Sequence, residues 1–92
     1  MIQYEIQRTS QFKKDFKLAV KRGNDVSLLF NVIHLLSRGE NFSEEYKDHS
    51  LSGNYFGYRE CHIQPDWLLV YKRTENLLVL SLYRTGTHSD LF

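Results

Sequence analysis

Two short apolar segments in the second half of the sequence constrain the fold more than any other feature. Residues 67–71 and 77–80 are aliphatic or aromatic throughout, and residues 74–76, which separate them, are typical of a hairpin turn. A strand that is apolar on both faces has to be covered on both faces, so these segments predict the central strands of a sheet. The expected strands in this half of the chain are residues 58–63, 67–72 and 77–84.

The first half of the sequence predicts one strand and two helices. Polar and apolar residues alternate over residues 2–7, as in a half-buried strand. Apolar residues then recur at helical spacing, first at Phe12, Phe16, Ala19 and Val20, and again at Val26, Leu29, Ile33 and Leu36. The expected helix limits are Thr9 or Ser10 to Gly23, and Asn24 or Asp25 to Gly39.

Because the connection between the two helices is short, they should form an antiparallel hairpin. Neither helix would be stable alone in water, so the hairpin should pack on the sheet. Residues 40–57 are polar and are expected to form a long loop. The sequence thus predicts an α+β fold with the order β-α-α-β-β-β, in which a helical hairpin packs on a small, mostly antiparallel sheet. The 92 residues are expected to form a single domain, residues 1–92.

Charge and cysteine content narrow the class of protein. The net charge is only +1, but residues 8–22 contain six basic residues and one acid, whereas residues 40–48 contain four acids and one lysine. Because the charges are segregated along the sequence, one face of the protein can be basic although the net charge is near zero. Cys61 is the single cysteine, which fits a reducing cytosol. No signal peptide or membrane span is evident, so we expect a cytoplasmic protein with no membrane partner.

Five side chains that can move protons or bind phosphate stand at predicted strand ends or in loops. They are His49, His62, Asp66, Arg84 and His88. Each alone can be explained as a structural residue; an Asp after a proline, for example, often shapes a turn. Together they match the needs of metal-free RNA cleavage: a base for the ribose 2′-OH, an acid for the departing 5′-oxygen and a cation for the phosphorane. Histidine suits both proton-transfer roles, and arginine suits the cation.

A metal site is the competing use of three histidines and an aspartate. No H-x-x-x-H or C-x-x-C pairing is present, so the sequence predicts neither a metal nor another cofactor. The fourth histidine, His34, lies within the second helix without an acidic or cysteine partner at useful spacing, and we interpret it as structural. We also expect Trp67, Tyr58 and Tyr71 to serve packing.

Three motifs resemble those of YafQ-type toxins, a branch of the RelE/ParE superfamily. Residues 46–53 read YKDHSLSG, residues 57–72 read GYRECHIQPDWLLVYK, and residues 84–92 read RTGTHSDLF. They correspond to the family's YKDHxLxG motif, its GYR-x-x-H-x-x-PDW block and its RTGTH-x-x-LF ending. The order and spacing match throughout the second half of the chain, whereas the first half matches only in its pattern of elements.

The resemblance implies a RelE-like fold and a toxin that cuts mRNA in the ribosomal A site. It also implies neutralisation by a cognate antitoxin protein. The family's catalytic positions fall on His49, His62, Asp66, His88 and Phe92. The alternative is a protein of related fold that has no RNase activity and only binds an antitoxin-like partner.

The roles within this set are less determined than the set itself. We expect His88 to be the general acid, with His49 and Asp66 acting as, or orienting, the base. His62 would position the phosphate or tune a neighbour. Arg84 would stabilise charge, a role inferred from chemistry alone, and Phe92 would stack on a base.

A basic stripe on the first helix fits a ribosomal partner. Lys13, Lys17 and Lys21 fall at i, i+4 and i+8, with Lys14 beside them. A solvated helix face is the common explanation for such a run, but with mRNA and rRNA as partners phosphate contact is favoured. The negative charge of Asp90 lies near the expected phosphate site, where it would repel the phosphate. Asp90 should therefore either point outward or pair with Arg84.

Overall fold

The computed structural model describes residues 3–40 and 44–92 and shows three helices on a five-stranded sheet. The strands are β1 (Glu5–Arg8), β2 (His49–Ser50), β3 (Arg59–Gln64), β4 (Trp67–Thr74) and β5 (Val79–Gly86). The helices are α1 (Ser10–Lys21), α2 (Val26–Ser37) and α3 (His88–Leu91), with single 3₁₀ turns at Glu44–Tyr46 and Gly53–Tyr55. The sheet order is β1-β5-β4-β3-β2, and every pairing is antiparallel except β1 with β5. The predicted α+β fold is confirmed.

Strand β4 lies at the centre of the sheet and is buried on both faces, as its apolar sequence predicts. Leu69 and Tyr71 belong to the core beneath α1 and α2. Leu68 and Val70 point the other way and pack against Leu91 of α3. The sheet is therefore covered on one side by the helical hairpin and on the other by α3 and the segment that precedes β3.

Each helix of the hairpin begins at a side-chain cap. The Thr9 hydroxyl accepts the Phe12 N–H at 2.9 Å and donates to the Tyr83 carbonyl at 2.8 Å, which ties the start of α1 to β5. Asp25 caps α2 by accepting the Ser27 N–H at 3.0 Å. The two choices that the sequence left open are thereby settled in favour of Thr9 and Asp25.

The β4–β5 connection differs from the predicted hairpin. Leu77 and Leu78 were expected to start a central strand, but they are 69% and 43% exposed, and β5 begins at Val79. Leu78 has a φ of 52°, a left-handed conformation that ends regular strand geometry. The apolar run thus continues from the turn into the strand, and its first two residues face solvent.

Three further differences concern short or exposed elements. The predicted 40–57 loop contains the two-residue strand β2, and α3 was not predicted. Val20, expected in the buried stripe of α1, is half exposed. Ile2, expected in the first strand, lies outside the described residues. Within the described ranges, no helix is long and apolar enough to cross a bilayer.

Candidate active site

Four side chains that the sequence singled out meet at one edge of the sheet. His49 lies on β2, His62 on β3, Asp66 in the β3–β4 turn and His88 at the start of α3. The His49 and His62 rings are 6.4 Å apart between centroids, and the His62 and His88 rings are 5.6 Å apart. Elements that are distant in sequence thus bring three imidazoles and a carboxylate into one cluster, the histidine cluster.

Asp66 fixes the orientation of His88. One carboxylate oxygen, Oδ1, accepts both the His88 backbone N–H at 2.9 Å and the ring nitrogen Nδ1 at 2.6 Å. Because a carboxylate only accepts, Nδ1 must carry a proton, which leaves Nε2 as the ring nitrogen available for chemistry. The backbone bond and then the ring bond lower the pKa of Asp66, so this group is an anion and not a proton donor at neutral pH.

Glu60 completes the cluster and was missed by the sequence reasoning. Its Oε1 lies 3.6 Å from Nε2 of His49 and 3.5 Å from Nε2 of His62. The residue is buried, and Oε2 has no hydrogen-bond partner among the described residues. The sequence could have indicated this residue, because Glu60 and His62 are two positions apart on one predicted strand and alternate residues of a strand share a face.

His49 is oriented from its other side. Its Nδ1 lies 2.7 Å from the Lys47 carbonyl, which can only accept, so Nδ1 carries the proton here as well. Nε2 of His49 is then directed toward Glu60. The cluster consequently presents a carboxylate between two imidazoles on one side and the Asp66–His88 pair on the other.

Part of this cluster can also hold a metal ion. One ligand atom from each of Glu60, His62 and His88 lies within 4.8 Å of the others. Two imidazoles and a carboxylate are suitable ligands for Zn²⁺ and related ions. The sequence did not predict this arrangement, because β4 and β5 separate His88 on α3 from Glu60 and His62 on β3.

Arg84 lies beside α1, where a buried acid holds it. Its Nε and Nη2 donate to the two carboxylate oxygens of Asp15 at 3.1 and 3.0 Å. Asp15, which is 8% exposed, also accepts the Thr85 backbone N–H. The Asp15 carboxylate, and to a lesser degree the Tyr55 hydroxyl, raise the pKa of Arg84. Arg84 is thus a fixed cation, but its fork is directed toward Asp15.

Phe92 lies at the rim of an aromatic surface. Its ring contacts Tyr55 edge-on at 5.2 Å between centroids and is largely exposed. Tyr55 donates its hydroxyl proton to the Leu91 carbonyl at 2.9 Å, which anchors this end of α3. Phe92 is therefore accessible from solvent, and its predicted stacking on a base stays a prediction.

The aromatic residues assigned to packing lie mainly in the interior. Trp67 is buried and donates its indole N–H to Thr85 Oγ1 at 3.0 Å. Tyr71 is fully buried and donates its hydroxyl to Asp48 at 2.6 Å. Tyr58 is half-buried and stacks on Tyr83 at 4.5 Å between centroids.

The basic stripe of α1 is exposed, and its lysines form no ion pair with any described residue. The four are Lys13, Lys14, Lys17 and Lys21. The one acid in this stretch, Asp15, points inward to Arg84, so the outer face of α1 is purely positive. Asp90 was expected either to point outward or to pair with Arg84. It does neither, because its carboxylate pairs with Arg22 at 2.6 Å.

Comparison with known proteins shows the family to which the chain belongs. A sequence model of the family described as "Bacterial toxin of type II toxin-antitoxin system, YafQ" matches residues 4–92. The mRNA interferase toxin YafQ of Escherichia coli K12 is 45% identical over 100% of this chain and 99% of its own length.

Solved structures extend the comparison to three dimensions. YafQ in the E. coli DinJ–YafQ toxin–antitoxin complex superposes with a TM-score of 0.89 at 43% identity, covering 99% of both chains. A metal-bound toxin from Helicobacter pylori superposes with a TM-score of 0.89 at 42% identity, covering 97% of this chain and 99% of its own. The resemblance seen in the three sequence motifs is confirmed, and the chain belongs to the YafQ family of toxins of type II toxin–antitoxin systems.

Proposed function

We propose that this protein is an mRNA interferase that cleaves mRNA on the ribosome and is neutralised by a cognate antitoxin. The observation that carries the proposal is the histidine cluster, in which His49, His62 and His88 lie close to one another and to the carboxylates of Glu60 and Asp66. Family membership supports the same activity, because the E. coli relative is an mRNA interferase toxin. The exposed lysines of α1 supply sequence-independent contacts to phosphates of rRNA and mRNA.

His88 is the proposed general acid. With Nδ1 bound to Asp66, protonated Nε2 is the nitrogen that delivers a proton to the departing 5′-oxygen. The Asp66 carboxylate holds the ring in one orientation, so that Nε2 faces away from the bond to Asp66. Asp66 thus acts with the acid, and the alternative in which it orients the base is not favoured.

The base side is proposed to be His49 together with Glu60. His49 Nε2 and Glu60 Oε1 are 3.6 Å apart. At this distance one group can hold the other in position or share its proton. Removal of the 2′-OH proton allows that oxygen to attack phosphorus, and the P–O5′ bond breaks as His88 protonates the leaving oxygen. The products are a 2′,3′-cyclic phosphate and a 5′-hydroxyl end.

The remaining groups bind and orient the substrate. His62 lies between Glu60 and His88 and is proposed to position the scissile phosphate. Arg84 is proposed to stabilise charge on the phosphorane, at reduced strength because Asp15 neutralises part of it. Phe92 is proposed to stack on a neighbouring base, an interaction worth about 1–3 kcal/mol.

A 2′-deoxy substitution tests this mechanism. On ribosomes programmed with an mRNA that the toxin cuts, one deoxynucleotide 5′ to the scissile phosphate should abolish cleavage at that position, because the nucleophile is missing. The uncut site and the new ends are read by primer extension. A deoxynucleotide one position further 3′ is the control and should leave cleavage intact. Cutting at the deoxy site would rule out 2′-OH attack.

The reaction is proposed to need no metal, although Glu60, His62 and His88 can bind one. Toxin stripped with a chelator, then freed of chelator before ribosomes are added, should cleave at the untreated rate. One equivalent of Zn²⁺ or Cu²⁺ should inhibit, because the ion would occupy the His88 imidazole that delivers the proton and the His62 imidazole that positions the phosphate. Loss of activity on stripping, with recovery on adding metal, would show instead that the ion is required.

The antitoxin is proposed to dock on an open groove between β1, α1 and α2, distinct from the histidine cluster. The groove encloses about 650 Å³ and is lined by Ile6, Arg8, Phe12, Lys13, Phe16, Lys17, Leu29, Phe30, Ile33 and Leu82. Ile6 and Phe30 are 42% and 52% exposed. The lining has basic residues and no acid, so it complements an amphipathic segment with acidic flanks.

Phe30→Asp should weaken antitoxin binding at least tenfold, since it removes an exposed apolar anchor and adds a charge that repels an acidic partner. Titration calorimetry with the purified antitoxin measures the effect. Leu77→Asp, which changes a leucine that is 69% exposed at the β4–β5 turn, is the control for an exposed apolar residue outside the groove. Equal affinity of the two variants would place the antitoxin elsewhere.

A further inference from the structure

The helix that carries His88 is too short to be stable by itself. Helix α3 spans only His88–Leu91, one turn, and isolated helices of that length do not persist in water. The Asp66 side chain that orients the imidazole is itself largely exposed in a turn. Other contacts must therefore fix where the backbone of His88 lies.

Asp90 provides those contacts from within the helix. Its Oδ2 accepts the Thr87 backbone N–H at 2.9 Å, while the Thr87 hydroxyl accepts the Asp90 N–H at 3.1 Å, which forms a capping box around His88. The side chain also lies against Gly86, where an added Cβ would come within 2.9 Å of the Asp90 Cβ. Asp90 thus contacts Gly86 and Thr87, the two residues that immediately precede His88.

Arg22 connects this capping box to α1. Its Nη1 and Nη2 lie 2.6 and 3.2 Å from the two carboxylate oxygens of Asp90. Arg22 is the C-cap of α1, a helix whose other end is bonded to β5 through Thr9. The Arg22 guanidinium and then the Thr87 N–H hold the pKa of Asp90 well below its usual range, so the pair stays ionised in any ordinary buffer.

We propose that Arg22 and Asp90 form a positioning pair, which holds α3 so that Nε2 of His88 points at the leaving oxygen without either residue touching the substrate. The proposal rests on the proposed function, in which His88 is the acid. Its physical basis is that a misplacement of about 1 Å at a reacting group can cost on the order of 100-fold in rate. The pair also explains why Asp90 can lie near the proposed phosphate site, because Arg22 neutralises its charge.

A competing role for the same residues predicts the opposite result. If Arg22 were a phosphate ligand that Asp90 partly blocks, removing the Asp90 charge would free the guanidinium and tighten RNA binding. Positioning predicts a fall in kcat with little change in KM. The sign of the change in each constant therefore separates the two roles.

The test measures cleavage on programmed ribosomes for Asp90→Asn, Arg22→Gln and Arg22→Lys. We expect Asp90→Asn and Arg22→Gln to lower kcat at least tenfold with KM within about twofold, and Arg22→Lys to recover most of the loss. Arg22→Gln leaves the capping box intact, which guards against simple unfolding of α3. Glu75→Gln, an acid-to-amide change in the β4–β5 turn, is the control and should match wild type.

Each other outcome is informative. A lower KM in Asp90→Asn would overturn positioning in favour of the phosphate-ligand role. Wild-type kcat in both Asp90→Asn and Arg22→Gln would overturn the pair altogether. If wild-type toxin itself does not cleave mRNA on ribosomes, the proposed function fails first, and that result is visible before any variant is compared.

Discussion

Replacing His88 with alanine is expected to lower the rate of mRNA cleavage by roughly 100- to 10,000-fold, the range typical for loss of one general acid or base. Asp66 binds Nδ1 of the His88 ring and leaves Nε2 to protonate the departing oxygen. The substitution removes the whole ring and therefore removes this proton donor. Because His88 is exposed, the fold should survive. Single-turnover cleavage on programmed ribosomes gives the rate, and thermal melting confirms the fold.

A matched control for this experiment is His34→Ala, which removes an exposed imidazole from α2, away from the cluster. Induced in cells, wild type and His34→Ala should arrest growth, and His88→Ala should not. If wild type, folded and expressed, leaves growth unaffected, the chain would instead be an inactive relative that only binds an antitoxin-like partner.

The second large effect is expected on stability. Asp15→Ala should lower the free energy of unfolding by roughly 3 kcal/mol, because removing one partner of a buried ion pair typically costs 3–5 kcal/mol and Arg84 keeps some contact with water. The Thr85 N–H would also lose its acceptor. For a domain of this size the melting temperature should fall by more than about 10 °C.

The control for this substitution is Glu75→Ala, which removes an exposed acid and should change the free energy of unfolding by less than about 0.5 kcal/mol. Adding Arg84→Ala to Asp15→Ala should recover part of the loss, since it removes the unpaired cation. A melting temperature for Asp15→Ala equal to that of Glu75→Ala would mean that the pair adds nothing to stability.

The fold could be predicted where burial alone determines the pattern. Strand β4 is buried on both faces, so its uniformly apolar sequence predicted a central position in the sheet. Helices α1 and α2 have regular apolar stripes and capped ends. The prediction was wrong at Leu77 and Leu78, because an apolar run does not show where a turn stops. Strand β2 and α3 are too short for any periodicity to appear.

Exposed apolar residues limited the prediction in another way. Val20, Ile6 and Phe30 have the spacing or composition of core residues but face solvent. Single-sequence patterns assign such residues to the interior, since they carry no information about which apolar residues stay on the surface. The groove between β1, α1 and α2 therefore could not be predicted before the fold was known.

The sequence predicted that His49, His62, Asp66 and His88 act together, and the structure brings them into one cluster, but the sequence did not predict the contacts among them. The motifs selected the three histidines, but not the position of Glu60 between two of them. Asp15 was read as one acid in a basic helix, although it falls at i+3 from Phe12 and i−4 from Ala19, on the buried stripe. Pairings such as Asp15 with Arg84 join residues that are far apart in sequence, and a single sequence does not reveal them.

The parallel pairing of β1 with β5 has a consequence for how the protein is made. Strand β5 inserts between β1 and β4, and the Thr9 hydroxyl meets a carbonyl 74 residues further along the chain. The sheet cannot close until residues 79–86 have emerged from the ribosome that is synthesising them. A nascent chain that stops before β5 lacks both the closed sheet and His88, so we expect it to be open to proteases and unable to cleave RNA.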